Sequence, residues 1–304
     1  MKIKTSAPGK LMLMGEHAVV YGYPCIVTAV DKRLYVEAEI FNKKEDEIVT
    51  PQVKESRFVL ETLAYFRERF KIHRHIKITT KGDFSHNVGL GSSSAVTVAT
   101  FSALSSLFNL NLTKKEIFDL SYTVTLKIQG VGSGFDIAAA TYGGTLYFVK
   151  GGKIIEPLEI NSIPLVVGYS GIKADTPYYV RKVAEAFKDR KSEMVTIFIQ
   201  IADLVNKAKK SLTEKDYLTL GKLMTNDQSF LKKLGVSITQ LDEMIKSALD
   251  SGAYGAKLSG AGGGDCMIAL VAEEKRSVVE KAIKKVGGEI INVKNNAEGV
   301  RIEK

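Results

Sequence analysis

Val88-Gly89-Leu90-Gly91-Ser92-Ser93-Ser94-Ala95 is the most informative stretch of this 304-residue chain. Residues 76–80 before it read as a strand, and the residues after it read as a helix running to about Phe108. A glycine-rich turn that feeds a helix leaves backbone N–H groups with no helical carbonyl to meet, and the helix dipole adds partial positive charge there. Phosphate oxygens suit such a place. The serines add hydroxyls that a phosphate or a metal ion can use. The stretch is not a Walker A loop, since the Gly-Lys-Ser/Thr ending is missing, nor is it the Gly-x-Gly-x-x-Gly dinucleotide turn. Taken alone, it is as often a plain helix start.

Two further segments carry chemistry. Ala7-Pro8-Gly9-Lys10 runs into the apolar Leu11-Met12-Leu13-Met14, followed by Gly15-Glu16-His17-Ala18-Val19-Val20-Tyr21-Gly22. A lysine entering an apolar strand either finds an anion or snorkels to water from an edge. Glu16-His17 interrupts an apolar stretch, as a satisfied structural pair or as polar lining of a substrate pocket. The last segment is Lys257-Leu258-Ser259-Gly260-Ala261-Gly262-Gly263-Gly264-Asp265-Cys266. Its glycines permit positive φ or close approach of the backbone to another group. That describes a flexible hairpin turn or a loop closing over phosphates.

The rest of the chain bounds the answer. Composition is that of a globular protein, 45% hydrophobic and 25% charged, and it contains no internal repeat. The formal charge is +9, but bases alternate with acids in runs such as Lys43-Lys44-Glu45-Asp46-Glu47 and Lys188-Asp189-Arg190-Lys191. Those are solvated faces rather than a nucleic-acid patch, and the excess suits anionic ligands. Cys25 and Cys266, the only cysteines, sit in apolar stretches and read as buried small hydrophobes in a reducing compartment. No signal peptide is visible, and no run of about eighteen apolar residues suggests a membrane span. A cytoplasmic protein is expected.

Strands are expected at Leu11–Met14, Cys25–Val30, Leu34–Ile40, Thr145–Val149, Leu165–Tyr169, Ala256–Leu258 and Cys266–Val271, with two short ones at the end. Helices are expected over 56–70, with Phe58, Leu60, Leu63, Phe66 and Phe70 as a buried stripe, over most of 176–250, and over about 273–286. Another starts at Thr113, with Glu116 completing a capping box, and stops near Gly130. Gly151-Gly152 marks a division into domains 1–152 and 153–304. Strands, then helices, then strands again predict an α+β fold.

The three segments, in this order and at these spacings, resemble the motifs of the GHMP kinase superfamily (galactokinase, homoserine kinase, mevalonate kinase and phosphomevalonate kinase), and the resemblance spans nearly the whole chain. Within it, residues 15–22 are similar to the mevalonate kinase signature, and Gly221–Thr225 with Leu231–Leu234 resembles archaeal mevalonate kinases. The resemblance implies two domains, one like ribosomal S5 domain 2 and one ferredoxin-like, with the site in the cleft between them. It implies ATP and Mg2+ as cofactors, mevalonate as the small-molecule substrate, and phosphorylation of its 5-hydroxyl. A homodimer is the family-level expectation.

By the same resemblance, Asp136 in Ser133-Gly134-Phe135-Asp136 is the base and Lys10 its paired cation. Ser93 is the magnesium ligand, and Ser92 and Ser94 help to hold phosphates. Gly89, Leu90, Gly91, Gly262 and Gly263 belong to the nucleotide cradle. Glu16, His17 and Thr176 contact the substrate. Thr125 stands where mevalonate kinases usually carry a magnesium-binding glutamate, and residues 131–140 read more like phosphomevalonate kinase. Phosphomevalonate kinase therefore stays open as an alternative, and it would need a second basic group near His17, such as Lys173 or Arg181. A non-catalytic ligand sensor is the other. Retention of Lys10 counts against the related decarboxylases, and the pattern after His17 counts against galactokinase.

Overall fold

The computed structural model describes residues 2–53, 56–85 and 87–304. Its longest strands, β1 (Lys2–Met14) and β2 (Pro24–Ile40), run antiparallel with Thr5 opposite Val36 and Lys10 opposite Ala29. The two apolar runs expected as separate strands at 25–30 and 34–40 are one continuous strand. Its second half pairs with β4 (Ile76–Gly82), which in turn holds the short parallel β3 (Glu47–Val49). Its first half pairs with β5 (Thr145–Val149), and β5 with β6 (Ile154–Leu158).

This sheet is covered on both faces, which explains why residues 11–14 are apolar without alternation. Leu11, Leu13, Ile26 and Val30 join the core shared with the C-terminal half. Met12, Cys25 and Val27 point the other way, into a core built with four helices. These are α1 (Arg57–Phe70), α2 (Ser92–Leu107), α3 (Lys114–Gln129) and α4 (Phe135–Tyr142). Ser56 caps α1, and Thr113 with Glu116 forms the expected capping box on α3, which ends at Gly130. In α1 the buried stripe is Val59, Thr62, Leu63 and Phe66; Leu60, expected inside, is 38% exposed. The α2 helix is buried almost all round, as expected for a helix apolar on every face.

The second sheet has the order β10-β7-β9-β8 and is antiparallel throughout, with β7 at Leu165–Tyr169, β8 at Gly255–Ser259, β9 at Cys266–Leu270 and β10 at Glu289–Ile290. Helices α5 (Thr176–Ala186), α6 (Lys191–Thr213), α7 (Tyr217–Lys233) and α8 (Thr239–Asp250) lie between β7 and β8, and α9 (Arg276–Lys285) lies between β9 and β10. Chain order and strand order together make a ferredoxin-like βαββαβ unit with its first crossover enlarged.

The expected division at 152 falls inside the first sheet. Gly151 and Gly152, both at φ 72°, turn β5 back into β6 within the first sheet. The chain end also returns to that sheet: β11 (Arg301–Ile302) pairs with β1, and bridges join Val30 to Asn295 and Gly143 to Glu298. Arg33 holds this tail, donating to the carbonyls of Glu298 (2.8 Å) and Gly299 (2.7 Å). The glycine pair signalled a hairpin, and a strand returning from the far end of the chain has no local signature.

Candidate active site

A cavity of about 460 Å³ opens between the two halves, within the range of small-ligand sites. Two helix starts point at it. At the first, Gly91 (φ 77°) precedes α2, and no side chain caps the helix, so its first amides keep free donors. Gly89, Gly91, Ser92 and Ser93 line the cavity there. At the second, Gly134 (φ 92°) precedes α4, which places Asp136 in the first turn, also on the wall. The sequence carries no start signal for α4, because its cap is a glycine and offers no polar side chain.

Lys10 reaches the wall from β1. It is 8% exposed; its backbone N–H donates to the Leu90 carbonyl (2.9 Å) and its Nζ to the Gly89 carbonyl (3.0 Å). Gly91 suits the place beside it, since the backbone there is at φ 77° and a Cβ would press on the Lys10 side chain at 3.0 Å. The ammonium also lies 5.6 Å from the centre of the Phe135 ring. Lys10 and Asp136 thus share one cavity, yet no ion pair or hydrogen bond joins them. The Asp136 carboxylate instead accepts from Ser94 Oγ (2.5 Å) and from the Ile137 N–H (3.0 Å).

Ser94 was expected on a phosphate, but its hydroxyl serves Asp136 and it does not line the cavity. Leu90, 1% exposed, belongs to the core. Gly262 and Gly263 also differ from expectation. The Gly263 N–H is taken by the Val236 carbonyl (2.8 Å), and Cβ atoms at Gly262 and Gly263 would collide with Val236 and with the Tyr179 ring. Gly260 and Ala261 line the cavity in their place. Thr176 does line it, as N1 of α5 behind the Asp175 cap.

Glu16 and His17 part company. His17, held at φ 60°, lines the cavity, and its Nε2 donates to the Ala261 carbonyl (2.9 Å). That fixes Nδ1 as an acceptor, buried and without a partner. Burial holds the imidazole below its ordinary pKa, against the Ala261 carbonyl and Glu16. Glu16 is not on the cavity wall; it is fully buried in an ion pair with Lys257. The partner lies far away in sequence, so spacing offered no hint of it.

Further polar residues line the wall, and of these Asp265 and Ser133 carry no role in the sequence analysis. Asp265 packs against Gly89 and accepts from the Ala174 N–H (3.1 Å). Burial raises its pKa, against that hydrogen bond and the amines of Lys10 and Lys173. A carboxylate directly after a glycine run was the available signal. Ser133 Oγ and Thr125 Oγ1 are buried without partners, and both residues line the cavity. Lys173 lines it too, whereas Arg181 does not. Cys25 and Cys266 take no part: burial raises the first thiol well above its ordinary value and the second to about 12.

A magnesium ion wants hard oxygen donors and tolerates several waters. The cavity offers the hydroxyls of Ser92 and Ser93, the Asp136 carboxylate and the orphaned hydroxyls of Thr125 and Ser133, so the donor set fits such an ion held mainly by a nucleotide's phosphates. Among the described residues no cluster of three or more His, Cys, Asp or Glu forms a metal site by itself.

Comparison with known proteins agrees with this geometry. Residues 57–144 match the GHMP kinase N-terminal domain and residues 208–289 the GHMP kinase C-terminal domain. The mevalonate kinase of Thermococcus sibiricus is 38% identical over 100% of this chain and 99% of its own length. The crystal structure of Methanococcus jannaschii mevalonate kinase superposes with a TM-score of 0.81 at 30% identity, covering 97% of this chain and 98% of that one. L. major mevalonate kinase, solved with R-mevalonate, gives 0.84 at 25% identity over 97% and 96%. With both domain matches, end-to-end relatives and the two helix starts meeting at one cavity, the chain belongs to the GHMP kinase family, within the group of the mevalonate kinases.

Proposed function

We propose that this chain transfers the terminal phosphoryl group of ATP to the 5-hydroxyl of mevalonate, with magnesium, in the cytoplasm. The carrying observation is that Asp136, Lys10 and the uncapped start of α2 share one cavity. Phosphoryl transfer demands mainly positioning and charge stabilisation, which these groups supply.

The free amides at the start of α2 and the hydroxyls of Ser92 and Ser93 bind phosphate oxygens. Lys10, with N–H donors left after Gly89, stabilises negative charge on the transferring group. Ser94 and the Ile137 N–H hold the Asp136 carboxylate in place, so that it orients the attacking hydroxyl and accepts its proton. His17 Nδ1, an acceptor without a partner, takes a hydrogen bond from a substrate hydroxyl. Lys173 and Thr176 face the same space from the other half and suit the substrate's carboxylate and hydroxyl groups. Ser93, with Asp136 and the hydroxyls of Thr125 and Ser133 on the same cavity wall, would hold a magnesium ion together with the phosphates, and that ion would supply neutralisation of phosphate charge. The unpaired buried thiols suit a reducing compartment. A homodimer belongs to the same reading and is measured by light scattering.

The test is ADP release with mevalonate, phosphomevalonate, homoserine and galactose in turn. Turnover is expected on mevalonate and lost in Asp136→Asn with ATP binding kept. Turnover on phosphomevalonate alone overturns the substrate; ATP binding without turnover on any of the four overturns the enzyme.

A further inference from the structure

Three ionisable side chains meet behind the cavity wall, where the two halves of the chain join: Glu16, Asp227 on α7 and Lys257 on β8, each 0% exposed. Lys257 donates to Glu16 and to the Leu258 carbonyl (2.7 Å), and its Nζ stands 3.6 Å from Asp227 Oδ2. Glu16 Oε2 and both Asp227 oxygens lack a hydrogen-bond partner. One ammonium cannot neutralise two carboxylates, and uncompensated buried charge is costly. Two facing carboxylates also cannot hydrogen-bond until one carries a proton. A single proton removes the net charge and gives the orphaned oxygens a donor.

Among the described residues, no other ionisable group stands against Asp227 to replace that proton. Besides Lys257 and Glu16, only the Gly15 N–H lies close to Asp227, outside hydrogen-bond geometry. The α6 residues buried beside α7 include no ionisable side chain, and neither does the stretch Leu11–Met14 of β1. Cys25 and His17, which also sense Glu16, are held neutral by burial.

This cluster is tied to the cavity at both ends. Glu16 precedes His17, and Lys257 lies just before Gly260 and Ala261, both on the wall. The His17–Ala261 hydrogen bond closes the loop, and the Ser259 hydroxyl, bonded to both the N–H (3.0 Å) and the carbonyl (2.9 Å) of Met12, pins it to β1. We propose that Asp227 is a positioning residue for the phosphoryl-transfer site, sharing one proton with Glu16 across Lys257 and so keeping the His17 turn in register with the glycine loop. The proposal rests on the functional reading above for which cavity is active.

Burial, reinforced by Glu16 and opposed by Lys257, pushes the Asp227 carboxyl up to about 8. The folded state therefore keeps a proton that the unfolded carboxyl releases near 3.8. Stability falls as pH rises between those values and levels off above the upper one. Once ionised, Asp227 competes with Glu16 for Lys257, and the loop carrying Ala261 loosens from His17.

The experiment compares the unaltered full chain with Asp227→Asn, which keeps the shape and neutrality of the protonated acid, and with Asp227→Ala. The unaltered protein is expected to lose Tm toward about pH 8 more steeply than Asp227→Asn, and to show the infrared carbonyl band of a protonated carboxyl that Asp227→Asn lacks. Its KM for mevalonate should rise above that pH, while that of Asp227→Asn stays level. Asp227→Ala should lower Tm at every pH. Equal Tm–pH slopes, or an unchanged infrared band, overturn the shared proton; KM values that move together with pH overturn the positioning role. Tm and infrared readings need no turnover, so an inactive protein with the expected slopes counts against the kinase reading alone.

Discussion

Ser94→Ala separates two roles that one hydroxyl cannot play together. Sequence placed Ser94 among the phosphate ligands; the structure gives its hydroxyl to Asp136 at 2.5 Å, with the side chain 1% exposed. A hydrogen bond to a charged acceptor contributes about 1.5–3 kcal/mol. If that interaction orients the base, its loss lowers kcat by about 10- to 100-fold, a factor of ten for each ~1.4 kcal/mol. The KM for ATP should not move, because the Ser94 backbone amide survives and Ser92 and Ser93 still face the cavity. Removing one small hydroxyl leaves a gap too slight to unfold α2, which a Tm measurement checks. The assay is steady-state ADP release, with kcat and both KM values resolved. An unchanged kcat, or a raised KM for ATP at constant kcat, refutes the reasoning and returns Ser94 to the phosphates.

Gly262→Ala should cost stability rather than nucleotide affinity. The position sits at φ 77°, which costs a side chain about 1–2 kcal/mol, and its Cβ would come within 2.2 Å of the Val236 carbonyl. Thermal unfolding should show the loss, with the KM for ATP unchanged in whatever fraction folds; a raised KM at unchanged Tm would put this glycine back on the nucleotide. For His17, burial lowers the folded-state pKa from 6.5. The stability contributed by the neutral ring is therefore fully present above that value and is lost as pH falls below it, since the unfolded chain binds the proton more readily. His17→Gln, which keeps the donor toward Ala261, should flatten the acid side of the Tm–pH curve; an unchanged curve would mean the ring already charges in place.

Much of the fold was legible because its causes are local. The Thr113–Glu116 capping box, the Gly130 stop, the start of α2 at Gly91-Ser92 and the strand runs all depend on neighbours within a turn or two. The same holds for the placement of Lys10, Ser93, Asp136, His17 and Thr176, which sit in recognisable segments and line one cavity. Contacts between distant segments were not legible. Glu16 and His17 are adjacent in sequence and equally polar, yet the turn at His17 sends one side chain into the cavity and the other inward to Lys257.

By itself the sequence determined most of the strand runs, the bounds of α1, α2 and α3, the α+β class and the three segments that carry chemistry. Tertiary structure alone decided which members of those segments face the ligand. In the glycine run 260–264, packing against Val236 and Tyr179 claims Gly262 and Gly263 and leaves Gly260 and Ala261 at the cavity. It also returned the chain end to the first sheet and set three ionisable side chains around one buried point. The physical reason is common to all of these. Capping and periodicity act over a few residues, whereas burial and pairing depend on what arrives from the other half of the chain.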